Sequence, residues 1–249
     1  MIEAAAEAGV VAIVVPGWDL PSSRAALELA ERHGPLIQAA VGIHPHDAGT
    51  MDDAGWRELE GLARDPRNRA VGEIGLDFFR NLSTPDLQRD AFARQLDLAA
   101  ELGKPVLVHD RDAHAEVAEA LTTWAPRAAR PGAALGVMHA FSGDLPLATR
   151  MIAAGFLVSF ALPVAFRSAA GPRAVATAID DGAFLVETDA PYLGPARDRR
   201  NEPANVLRVV GELARLRGVE AIDLVEPVRA AWGRMFAPPP PPSGERALA

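Results

Sequence analysis

The chain has 249 residues, 49% of them hydrophobic, which is enough for one large α/β domain with a sizeable core. It contains no cysteine, which excludes disulfides and thiolate metal sites and fits a reducing compartment; a cytoplasmic location is expected. A formal net charge of -8 argues against a protein that coats nucleic acid by bulk attraction, but not against an enzyme that grips a phosphodiester through metal ions and a few arginines.

The first segment, MIEAAAEAGV, has no basic leader and does not read as a signal peptide. Met1 to Ala8 reads as a helix running into a strand, VVAIVVPG from Val10. PSSRAALELAERHG follows as a helix, with Pro21 near its start and Gly34 just past its end. LIQAAVGIH from Leu36 and AVGEIGLD from Ala70 are the next strands. TPDLQRDAFARQLDLAAELG places Phe92, Leu96, Ala99 and Leu102 at helical spacing and stops at Gly103. PVLVH from Pro105, ALGVMH from Ala134, FLVSFA from Phe156 and AFLVETD from Ala183 complete seven strand-like runs. These runs are nearly continuously apolar, as parallel strands covered on both faces require. Two helices, ANVLRVVGELARLRG and LVEPVRAAWGRMF, close the pattern. The longest uncharged stretch, Met151 to Phe166, is too short to span a membrane and contains Pro163. The proline-rich segment 237–249 has no means of packing and is expected to be disordered or polyproline, which leaves one domain over 1–236.

Regular βα alternation predicts a (β/α)8 TIM barrel or an open doubly wound sheet. With seven strands recognised, a closed barrel needs one more strand upstream of Met1. The repeat therefore begins in mid-unit, either because the start is placed too far downstream or because something else closes the gap.

Four of the runs end on metal-binding side chains: Glu73, His109, His139 and Asp189. Barrel enzymes build their sites at the carboxyl ends of strands, so the four side chains would converge at one mouth. Burying two carboxylates together without a cation costs several kcal/mol or protonates one of them, and a divalent cation resolves the conflict. Residues two apart in a strand share a face, which pairs Glu187 with Asp189, Glu73 with Asp77, His109 with Arg111 and His44 with His46. Pro45 stiffens the turn between His44 and His46, which could bind metal or orient a phosphate oxygen and a leaving group. Arg111 could reach an anionic substrate by a bidentate contact. Arg197, Arg199, Arg200 and Asn201 follow on the same rim, where a solvated loop explains any one arginine as well. His33 and His114 read as ordinary helix residues.

The blocks GIHPH, GEIGLDF, VHDRDA, MHAFSG and ETDAPYL followed by RNEP occur in this order, and from about Val10 to Phe236 the chain resembles the TatD family of metal-dependent deoxyribonucleases. The resemblance implies a TIM-barrel hydrolase of the amidohydrolase-like group that acts on DNA phosphodiesters, often as an exonuclease, with one or two divalent metal ions. Magnesium or manganese is expected first, and zinc is compatible. It matches Glu73, His109, His139 and Asp189 to the family's metal ligands and His44 to a histidine near the substrate phosphate. One departure stands out: the family's opening strand, ending in His-x-His and supplying two ligands to one metal, is absent, and it is the same strand that the repeat count finds missing.

The expected reaction is phosphodiester hydrolysis by water activated on the metal. Asp189 would be ligand and general base, and His44, His46 and Arg111 would face the phosphate. DNA is the expected substrate, with no membrane association and no obligate protein partner. Two rivals remain. An amidohydrolase acting on amides or lactones would bridge its metals with a carboxylated lysine, but the sole lysine here is Lys104, away from the Glu73 strand. A truncated, inactive chain that only binds nucleic acid or a partner would take up no stoichiometric metal.

Overall fold

A computed structural model describes residues 1–166, 168–194 and 200–236. Arg197, Arg199 and the proline-rich segment 237–249 lie outside the described residues. The elements alternate as expected: α1 (Ile2–Glu7), β1 (Ile13–Pro16), α2 (Leu20–His33), β2 (Ile37–Val41), α3 (Asp53–Ala63), β3 (Asn68–Asp77), α4 (Pro85–Leu102), β4 (Val106–Arg111), α5 (His114–Ala128), β5 (Gly136–Met138), α6 (Leu145–Ala153), β6 (Phe156–Phe160), α7 (Ala170–Ala178), β7 (Phe184–Val186), α8 (Val206–Arg217) and α9 (Val225–Phe236). All seven strand-like runs of the sequence are strands.

The strands form one parallel sheet in the order β1-β2-β3-β4-β5-β6-β7. The helix boundaries follow local chemistry. Asp19 and Ser22 cap α2 reciprocally, and Thr84 caps α4, which ends at Gly103 in the left-handed conformation.

The sheet is curled into a barrel. Val14, Ala40, Ala70, Leu107, Val137, Leu157 and Leu185, one side chain from each strand in turn, belong to a single apolar cluster. In a flat sheet β1 and β7 would stand roughly 29 Å apart at the usual interstrand spacing. Here α1, which precedes β1, packs against the Pro203–Asn205 turn that follows β7. At the amino ends of the strands α9 closes the interior with Ala231, Met235 and Phe236. The Arg69 guanidinium donates to the Phe236 carbonyl, and the Ala134 amide donates to the Arg234 carbonyl at 2.9 Å. A second apolar layer, including Ile74, Val108, Met138, Val158 and Phe184, lies between the strands and the outer helices. Among the described residues no pairing joins β1 to β7. This is the (β/α) barrel of the first alternative, not an open doubly wound sheet.

Candidate metal centre

The carboxyl ends of the strands carry the titratable groups that the sequence singled out, and β3 is shaped to present two of them. Its pairing with β4 jumps from Val71↔Val106 to Ile74↔Val108, which inserts one extra β3 residue. Gly75, at φ 142°, lies so close to the His109 carbonyl that a Cβ would overlap it. The bulge and the glycine let β4 close up on β3, so that Glu73 and Asp77 both reach His109.

Glu73 lies at the centre. Its Oε1 is 2.9 Å from His109 Nδ1, 3.6 Å from His44 Nε2 and 3.9 Å from His139 Nε2. His139 Nε2 is also 3.7 Å from Asp189 Oδ1. The structure thus brings Glu73 and His109, from two strands, together with His44, His139 and Asp189, from three strand-end connections. One donor atom each from His44, Glu73 and His109 lies within 4.8 Å of the others.

The hydrogen bonds separate the histidines by role. His139 Nδ1 meets Glu187 Oε2 at 2.6 Å, which leaves Nε2 facing Glu73 and Asp189. Glu187 is itself held, accepting from the Ala140 amide at 2.8 Å and the Ser159 hydroxyl at 2.9 Å. A carboxylate behind an imidazole in this way fixes the tautomer and aims the inner nitrogen at a cation. His109 is set similarly, with Nε2 3.2 Å from Asp77 Oδ2 and Nδ1 toward Glu73. His44 differs. Its Nδ1 accepts the His46 amide at 3.1 Å, so in the neutral ring Nε2 carries the hydrogen and is a donor.

The electrostatics agree with this division. Burial drives His44 down to about 3, so it stays neutral. Burial also disfavours charge on His109 and His139, but in the metal-free cluster their carboxylate partners prevail. Asp77 and Glu73 raise His109 to about 9, and chiefly Glu187 and Glu73 raise His139 to about 10. Glu73 is held well below the usual carboxylate range; its own burial opposes this, and His139, His109 and His44 outweigh it. Burial pushes Asp189 up to about 6, with His139 pulling the other way and Glu187 and Glu73 adding to the rise. The oxygen and imidazole donors fit a divalent cation, which would take the place of protons on His109 and His139.

The other expected residues lie around this centre. His46 Nε2 is 2.8 Å from Asp77 Oδ2, so His46 contacts the carboxylate behind His109. Arg111 is exposed at the end of β4, its guanidinium 3.9 Å from the centre of the Phe79 ring, itself exposed. Asn201 is buried, its side chain donating to the Thr188 and Leu193 carbonyls, and it ties down the loop that carries Asp189. Asp189 has φ 57°, a conformation that aspartate tolerates.

Sequence reasoning missed Asp77 and Glu187 as site residues, although period-two alternation had put each on the face of a candidate ligand. Gln88 was missed too. Buried in α4, it accepts the Asp77 amide and donates to the Asp77 carbonyl, and its only trace in the sequence is a glutamine on the apolar side of a helix.

Comparison with known proteins gives a consistent result. The family model described as "TatD related DNase" matches residues 1–237. The 3'-5' ssDNA/RNA exonuclease TatD of Edwardsiella piscicida is 37% identical over 228 residues, covering 89% of this chain and 86% of that protein. The uncharacterized metal-dependent hydrolase YabD of Bacillus subtilis (strain 168) is 35% identical over 219 residues, covering 87% and 84%. Among solved structures, the TatD homolog YJJV from Escherichia coli k12 superposes with a TM-score of 0.86 at 30% identity, covering 96% of this chain and 91% of that one. A TatD family hydrolase from Entamoeba histolytica shares the fold at a TM-score of 0.83 and 19% identity, covering 95% and 88%.

Proposed function

Because this chain belongs to the TatD-related DNases, a family of metal-dependent hydrolases acting on ester bonds, we propose that it cleaves DNA phosphodiesters, removing nucleotides from an end of the strand. The observation that carries this reading is the aim of His139: Nδ1 is committed to Glu187, while Nε2 faces two carboxylates from other strands across less than 4 Å. Glu73, His109, His139 and Asp189 would hold one or two divalent cations, magnesium or manganese in the first place and zinc compatibly. Such a cation supplies a Lewis acid that offsets phosphate charge and makes water nucleophilic near neutral pH.

The chain's own residues do the rest. Glu187 and Asp77 hold the two imidazoles in orientation. The His44 Nε2–H donates to a phosphate oxygen on which charge develops, and its neutrality leaves the site's charge to the cation and Arg111. Asp189 accepts the proton of the attacking water. His46 helps to hold Asp77. The carboxylated-lysine rival loses support, since Lys104 precedes β4 at the opposite end of the barrel and donates to the Ala63 and Asp65 carbonyls.

The test is cleavage of a labelled single-stranded oligonucleotide with Mg²⁺ or Mn²⁺. Asp189→Asn and Glu73→Gln are each expected to lower kcat at least about a hundredfold while the circular dichroism spectrum stays native. Near-native turnover in either variant would overturn the assignment. An unmutated chain that takes up no metal would favour a binding protein instead.

A further inference from the structure

Beside the centre lies a cleft of about 600 Å³, between the β5–α6 connection and the β6–α7 connection, with His114 at its edge. That size falls within the roughly 300–1,000 Å³ typical of small-ligand sites. The cleft and the centre share a wall. Ala140, in its lining, donates its amide to Glu187 Oε1, and Phe160, also in its lining, accepts the Glu187 amide at 3.0 Å. Glu187 in turn holds His139. The wall that holds His139 in place is therefore also a wall of the cleft.

The lining suits a flat and partly polar group. Phe141, Phe160 and Val164 supply apolar walls, and the exposed Ser142 lies on the rim. His114 spends Nδ1 on Asp110 Oδ2 at 2.8 Å, which leaves Nε2 for a ligand. Among the described residues the lining holds one carboxylate, that of the exposed Asp144, and no lysine or arginine. Apolar walls with a few hydroxyl and imidazole groups match a nucleobase and its sugar, which bind by stacking and by a few edge contacts.

We propose that this cleft receives the nucleoside at the end of the strand being cleaved and so positions its phosphodiester against His139. The proposal rests on the phosphodiesterase reading and adds a subsite to it. His114, which the sequence marks as an ordinary helix residue, becomes a residue that positions substrate.

Two esters with the same leaving group test it: thymidine 5'-(p-nitrophenyl phosphate) and methyl p-nitrophenyl phosphate, which lacks the nucleoside. Ser142→Trp, and independently Ala169→Trp on the facing connection, would obstruct the cleft. Each is expected to raise KM for the thymidine ester about tenfold, the scale of one lost stacking contact, with kcat and the methyl ester unaffected. Equal rates on the thymidine ester in wild type and both variants would overturn the proposal, as would a parallel loss on both esters. If the wild type cleaves neither ester, cleavage of the labelled oligonucleotide decides the phosphodiesterase reading, and binding decides the cleft separately. Thymidine 5'-monophosphate titrated calorimetrically must then bind the wild type about tenfold more tightly than Ser142→Trp; equal binding would refute the subsite.

Discussion

At the scale of single residues, three histidines of one centre differ in what their second nitrogen does. His109 and His139 each turn one nitrogen to a carboxylate outside the cluster, Asp77 or Glu187, and the other inward. His44 turns Nδ1 to a backbone amide and is left with a donor. Two predictions separate these roles. His44→Ala is expected to lower kcat about a hundredfold, the scale for losing a donor to a developing oxyanion, while calorimetric Mn²⁺ uptake is retained. A loss of affinity as large as that of Glu73→Gln would instead make His44 a ligand. Glu187→Gln keeps the shape of the carboxylate but weakens its hold on His139, and Mn²⁺ affinity is expected to fall about 10- to 100-fold with the fold intact. Unchanged affinity would show that His139 needs no help to stay aimed.

At the scale of elements, β3 does more than any other strand to build the centre. Its bulge, its Gly75 and the α4 glutamine that grips Asp77 together place two carboxylates on either side of one imidazole. Gly75→Ala must then either push β4 away or strain β3 at a φ of 142°. The expected cost is about 2–4 kcal/mol in urea unfolding, with loss of cleavage, because His109 moves with the β4 backbone. A variant with a wild-type midpoint would show that the two strands have room to spare. The motif GEIGLD was legible as a strand bearing Glu73. Its glycines could not be assigned to the approach of β4, since nothing local identifies which strand lies alongside.

At the scale of the whole molecule, the two ends of the barrel do different work. The mouth collects carboxylates and imidazoles, and the base is closed by α9 and by ion pairs such as Asp65 with Arg67, which is also paired with Glu31. No helix among the described residues is long and apolar enough to cross a membrane. Hydrogen bonds from Arg67 draw the Asp65 carboxyl down to about 2, from an unfolded value near 3.9. A depressed carboxyl contributes stability above its unfolded value and loses it as pH falls through its folded one. Thermal unfolding midpoints are therefore expected to drop between about pH 4 and pH 2, and the drop should be shallower in Asp65→Asn. An identical profile in the variant would mean that other carboxylates carry the acid transition.

The order of strands and helices and the apolar character of each strand were determined by the sequence alone, and so was the choice of the residues proposed as ligands. Periodicity and residue type are local properties, and an α/β repeat writes them plainly. The curvature that joins β3, β5 and β7 at one mouth was decided only by the tertiary structure. So were the partners Asp77 and Glu187, the buried anchor Asn201 and the cleft beside His139. Most of these depend on groups far apart in the chain, as with His139 and Glu187 at 48 residues' separation. Which nitrogen of an imidazole faces a cation is set by what stands behind the other one, and that neighbour comes from another strand.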